Sequence, residues 1–168
     1  ERTQFLSYHE IRITTVSTRV WALSKSGITV NHLEDLKSLS IAAMSGYKYG
    51  PDFDKMTFPH LAKVHSKTQL INMLAKNRID VIIDSYNCFK FNASRLNYPS
   101  DQFKPLYTIT ENPAYFAFSK IRYGKRATEL ANEFNQFLID AEKDGRLKEI
   151  RGYWINTPPT SKPRPKSK

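Results

Sequence analysis

The chain has 168 residues, of which 40% are hydrophobic, 12% aromatic and 25% charged. These proportions supply a packed core and exclude wholesale disorder, and the length fits one domain or two small lobes. No apolar run approaches the ~18 residues of a bilayer-spanning helix, and the aliphatic run Val81-Ile82-Ile83 is cut by Asp80 and Asp84. Lys and Arg number 26 against 16 Asp and Glu, a net charge of +10, which invites nucleic acid or an anionic surface as a partner. Four of those basic residues, Lys162, Arg164, Lys166 and Lys168, stand beside Pro158, Pro159, Pro163 and Pro165, and such a composition builds no core. The rest are spread along the chain without an Arg-rich helix or an aromatic–glycine RNA-binding signature, so no nucleic-acid partner is expected. A single cysteine, Cys88, excludes an intrachain disulfide and any multi-cysteine metal site. The opening Glu-Arg-Thr-Gln is no secretory leader, so a signal peptide is expected to have been removed or to lie outside this sequence.

In chain order, residues 14–24 are rich in β-branched and aromatic types and predict a long strand ended by Gly27. Asn31 stands as an N-cap with Glu34 three residues later, predicting a short helix. Residues 40–44 predict a buried strand, and Ser45-Gly46 a turn into a further helix, an arrangement that aims backbone N–H groups at an anion. Leu61 to His65 predicts a strand, and Ser66 caps a helix over 67–77 with Leu70, Ile71 and Leu74 on one face. The run 80–84 reads as a parallel strand covered on both faces, followed by a helix over 85–95 and a strand over 103–109. Strands with interposed helices imply a parallel sheet and an α/β lobe. Asn112-Pro113 breaks the chain before a strand over 114–118. A helix over 127–144 presents Leu130, Phe134, Phe137, Leu138 and Ala141, Asp144-Gly145 ends it, and 147–154 forms a last helix.

The order of these elements, with several local motifs, resembles the type 2 periplasmic solute-binding proteins, specifically the amino-acid-binding family of ABC importers. The motifs are Glu1-Arg2 followed by Phe5, Trp21-Ala22-Leu23, Leu33-Glu34-Asp35-Leu36-Lys37 before Ile41, Ser45-Gly46-Tyr47, the run Leu74 to Asp84, and Asp144-Gly145-Arg146-Leu147-Lys148 to Tyr153-Trp154. The resemblance implies two α/β lobes that close on a small solute. It assigns residues 1–19 to the end of lobe one and a crossover strand, 20–109 to lobe two, 110–156 to the return into lobe one, and 157–168 to a disordered basic tail. By that resemblance the opening part of lobe one is not in this sequence, and the chain alone is expected either to bind weakly or to pair with a second copy that covers the apolar face 110–156 would otherwise expose.

For the site, the resemblance places Arg2 where the family's arginine grips the ligand carboxylate with a planar fork. After the glycine turn, where the family carries small hydroxyl residues, this chain has Tyr47, Lys48 and Tyr49; Lys48 offers charge to an anion and the tyrosines stack on a ligand. The acid that meets a ligand ammonium in the family falls at Ser85, with Asp84 one residue earlier and so on the opposite strand face, where it would cap the next helix. These departures point away from a standard α-amino acid and toward another small polar or anionic solute.

Enzymes stay open as a class because some relatives of the family are dehydratases, but His9, His32, His60 and His65 form no metal or nucleophile motif, and Cys88 reads as a small buried hydrophobe. The expected function is therefore non-catalytic: capture of a small polar solute, such as an amino acid or related compound, in a cleft between the lobes and its presentation to an importer permease or receptor in the periplasm, with no cofactor and no metal. The runner-up is the extracellular sensing domain of a signalling receptor, followed by a basic nucleic-acid-binding module resting on the +10 charge and the Lys162–Lys168 tail.

Overall fold

The computed structural model describes residues 2–156, and the tail expected over 157–168 lies outside them. The described chain forms two compact units, 2–15 with 112–156 and 16–111. Both changeovers fall inside long strands, β2 (Thr14–Leu23) and β6 (Phe103–Ala114).

The larger unit is built on a five-stranded sheet in the order β4-β3-β5-β2-β6, with β3 at Ile41–Met44, β4 at Leu61–Val64 and β5 at Val81–Ser85. β3 pairs in parallel with both β4 and β5. β5 pairs antiparallel with β2, Arg19 lying opposite Asp84 and Trp21 opposite Ile82. The sheet is thus mixed rather than wholly parallel. β2 joins it with no crossover helix behind it, since the chain between β2 and β3 contributes only a 3-10 helix at Leu33–Ser38.

Every residue of β3 and residues 81–84 of β5 are buried, as the apolar runs require of central strands. Side chains alternate between faces. Ile82 and Trp21 join a cluster with Leu70, Ile71 and Leu74 of α2 (Lys67–Ala75) and Phe89 of α3 (Tyr86–Arg95). Val20, Val81 and Ile83 point the other way, toward Leu36, Tyr49 and Phe53 of the short helix α1 (Pro51–Lys55). The Trp21 and Phe89 rings stack with centroids 4.0 Å apart.

Local chemistry sets the ends of these elements. Ser66 Oγ accepts the Gln69 N–H at the start of α2, and Asn77 beyond its end adopts φ 51°. The 3-10 helix begins later than expected, at Leu33, and Asp35 rather than Glu34 accepts the Asn31 and His32 N–H groups. Those two donors hold the Asp35 carboxyl below its usual 3.8. Where β3 and β5 begin, Asp80 Oδ2 accepts from both the N–H (2.7 Å) and the Oγ–H (2.6 Å) of Ser40, whose Oγ accepts the Asp80 N–H in return.

Gly50 precedes α1 with φ 132°, and a Cβ there would lie 2.5 Å from Thr110 Cγ2. Gly50→Ala is expected to destabilise the larger unit by about 2 kcal/mol through backbone strain and this overlap. A urea midpoint equal to that of the parent chain would contradict it.

β6 runs through Asn112 and Pro113 to Ala114, so the expected chain break is instead continuous strand. Pro105 and Pro113 are tolerated because β6 is an edge strand of the sheet, where a missing N–H donor removes little pairing.

In the smaller unit, β1 (Leu6–Tyr8) pairs antiparallel with β7 (Ala117–Ser119). A short helix α4 (Lys120–Tyr123) leads to α5 (Arg126–Lys143), and Gly145 at φ 83° separates α5 from α6 (Arg146–Asn156). Leu138, Ala141 and Leu147 pack with Ile11, Ile13 and Phe134. Phe137 departs from expectation. It is 46% exposed, because small Ala127 and Ala131 join Leu138 and Ala141 on the buried stripe of α5 and turn Phe137 to its margin. There it stacks on Phe134 and lies under the Arg146 guanidinium. His9 is buried, its Nε2 accepting the Phe116 N–H at 2.9 Å and its ring against Phe134 and Tyr115.

Candidate functional site

Open α/β sheets bind ligands outside the carboxyl ends of their parallel strands. In the larger unit those ends are the segments after Met44, Val64 and Ser85. The first supplies Tyr47, Lys48 and Tyr49, the second Lys67, and the third Asp84 and Ser85.

Tyr47 is 54% exposed and its ring is inclined by 26° to that of Tyr49, centroids 6.3 Å apart. Tyr49 itself is a core residue at 4% exposure: its Oη accepts the Met44 N–H at 2.7 Å and its ring meets Phe53 edge-on. Burial pushes its phenol up to about 12. Tyr49 therefore supports Tyr47 from beneath, and only Tyr47 offers a ring face to solvent. Lys48 is exposed. The backbone cradle expected after the glycine turn is already filled, because α1 starts only at Pro51 and the Asp54 carboxylate accepts the Tyr49 and Gly50 N–H groups at 3.2 and 3.4 Å.

Asp84 is 2% exposed and shares a strand face with Ile82, toward α2 and α3. Its Oδ1 accepts from the Lys67 ammonium and from the Ser85 N–H at 2.8 Å, while Oδ2 is buried without a hydrogen-bond partner. Burial is the largest influence on this carboxyl and raises it above 3.8, opposed by Lys67 and the Ser85 N–H. Ser85, one residue on, is the N-cap of α3 but accepts no capping bond through its side chain. Arg2 belongs to the smaller unit, exposed on a single 3-10 turn at Arg2–Gln4.

Lys67 is the residue that sequence reasoning missed. It pairs with Asp84, and its Nζ sits 5.0 Å from the centre of the Tyr47 ring. Lys63 Nζ lies 5.7 Å from the centre of the Tyr49 ring. Across the strand pair, the Arg19 guanidinium covers Tyr86 at 5.2 Å and reaches Glu111 at 3.4 Å. The available signal for Lys67 was its position, immediately after a helix cap at the end of a parallel strand.

Among the described residues no three His, Cys, Asp or Glu side chains are grouped to hold a metal ion, and no helix is long and apolar enough to cross a membrane. Cys88 is exposed rather than buried, because α3 turns Phe89 and Ala93 inward and leaves Cys88 on its outer side.

The fold is that of the substrate-binding domains of amino-acid ABC transporters, the type 2 periplasmic binding protein architecture. Solved structures with this likeness include a mutant of ArgBP from T. maritima, at 13% identity and a TM-score of 0.68, matched over 93% of this chain and 64% of that one. Substrate binding domain 2 of GlnP from Lactococcus lactis, in its open conformation, matches at 17% identity and a TM-score of 0.68 over 93% of this chain and 65% of that one. The arginine-, lysine-, histidine-binding protein ArtJ from Geobacillus stearothermophilus matches at 18% identity and a TM-score of 0.62, over 95% and 66%. The chain thus spans about two thirds of the length of these proteins. Neither a protein-family model nor a curated protein sequence matches it.

Proposed function

We propose that this chain is a solute-binding component of an ABC-type importer, working in the periplasm, that captures a small polar solute and delivers it to the importer's permease. The observation that carries this reading is the shared fold over more than nine tenths of the chain with domains whose names state substrate binding for amino-acid transporters. Supporting it, an exposed tyrosine and a held ammonium stand together at the carboxyl ends of the parallel strands. In this reading Tyr47 stacks on the solute with Lys48 beside it, and Tyr49, Asp84 and Ser85 support that site within the larger unit. Capture selects the closed arrangement of two lobes and needs no bond to be made or broken.

The test is thermal melting of the chain against a panel of amino acids, amines, sugars and carboxylates. A true ligand raises the melting temperature progressively with concentration, because it binds the folded state alone. A rise with one compound class, lost in Tyr47→Ala, is the expected outcome. A flat response across the panel would count against solute capture.

A further inference from the structure

The solute's own charge is the next question, and the Lys67–Asp84 pair bears on it. Asp84 is shut off from any solute. Its Oδ1 is taken by the Lys67 ammonium and the Ser85 N–H, and its Oδ2 is buried. A solute ammonium would reach this carboxylate only by displacing Lys67, exchanging one cation for another with no gain in charge pairing. Lys67 is placed differently. Its side chain keeps 21% of its surface exposed, and its ammonium is fixed between Asp84 and the face of Tyr47. An ammonium has three N–H donors; among the described residues that of Lys67 donates to Asp84, which leaves donors for an incoming anion. Lys48 directly follows Tyr47, and Lys63 Nζ lies over the Tyr49 ring, so further positive charge borders the site.

We infer that the solute is a small organic acid without an ammonium group, its carboxylate received by Lys67 beside the Tyr47 ring. Asp84 acts as the buried counter-charge that holds Lys67 in place, a positioning residue that does not touch the solute. This inference rests on the reading of the chain as a solute-binding protein and narrows its substrate class. The geometry supplies discrimination through repulsion as well as attraction: a solute ammonium brought beside Lys67 meets a like charge, and the Asp84 carboxylate is already engaged.

The experiment uses matched pairs that differ only in an ammonium replaced by a hydroxyl: L-alanine and L-lactate, L-glutamate and L-2-hydroxyglutarate, L-phenylalanine and L-3-phenyllactate. Binding is measured by titration calorimetry on the full chain. The expected result is that the hydroxy acid of at least one pair binds at least tenfold more tightly than its amino acid. A double variant, Lys67→Met with Asp84→Asn, removes both charges together and so leaves no buried charge uncompensated. It is expected to stay folded and to lose that preference. Tighter or equal binding of the amino acids, or binding confined to amines or sugars in the wider panel, would overturn the inference while leaving solute capture standing. Retention of the preference in the double variant would overturn the role given to Lys67. Failure of every solute would overturn both the inference and the proposed function.

Discussion

Trp21→Ala is expected to cost the larger unit about 4 kcal/mol, the upper part of the range for removing a large aromatic from a core. Trp21 is buried on β2, beside the central strand β5, stacked on Phe89 at 4.0 Å and tilted against Tyr86 at 5.4 Å. Its removal opens a hollow between β2 and α3 that the stiff β-strands cannot close. Its indole N–H also reaches the Asp84 carbonyl at 3.4 Å, so the same substitution loosens the strand end that carries the candidate site. Against a total stability of roughly 5–15 kcal/mol for a domain, this leaves little margin. Urea unfolding followed by circular dichroism reads it directly, and a loss below about 1 kcal/mol would show that Trp21 is not the core residue described.

The second large effect is expected of Lys67→Met alone. Removing one partner of a buried ion pair typically costs about 3 kcal/mol or more, because the Asp84 carboxylate stays buried with no cation beside it. The penalty has a definite pH dependence. Burial already raises the Asp84 carboxyl above 3.8, and Lys67 is the leading influence that pulls it back, so the variant raises it further. A carboxyl whose folded value exceeds its unfolded one holds its proton more tightly in the folded state. That contribution to stability is complete below 3.8 and is lost as pH rises through the folded value. The gap between variant and parent is therefore smallest in acid and largest near neutrality. An equal gap at pH 4 and pH 7 would contradict the assignment. The Lys67→Met, Asp84→Asn pair should recover most of the loss, since the two residues are coupled.

Much of the fold was legible because its signals are local. Val81-Ile82-Ile83 between two acids reads as a doubly covered strand, and Ser66 before Leu70, Ile71 and Leu74 reads as a capped amphipathic helix. Both hold in the structure. The misreadings share another cause. Whether Asp35 or Glu34 closes the first turn depends on where the helix begins, a shift of one residue that propensity does not resolve. Phe137 fits the helical spacing of α5 as well as Phe134 does, and only the neighbours packed on that helix decide which ring is covered. Pro113 signals a break unless the strand is known to lie at an edge. The antiparallel placement of β2 is equally a matter of long-range pairing.

At the candidate site, the one-residue offset of Asp84 from Ser85 was readable. Its partner was not. Lys67 lies 17 positions earlier on a separate element, and its place after the Ser66 cap marks a strand end without naming the acid it pairs with. The burial of Tyr49 beneath Tyr47 was hidden for the same reason, since alternate aromatics in a loop do not announce which one the core claims.

The two ends of the five-stranded sheet are unlike its centre. At one end β6 carries Pro105 and Pro113, which present no N–H to a strand approaching from another molecule. At the other end β4 is four residues long with Lys63 among them, too short and too charged to template a long ladder. Concentrated samples of the folded chain should therefore resist growth into fibrils by strand addition, and the hydrophobic stretch Val81-Ile82-Ile83, which would favour such growth in an unfolded chain, is kept at the sheet's interior between two neighbours.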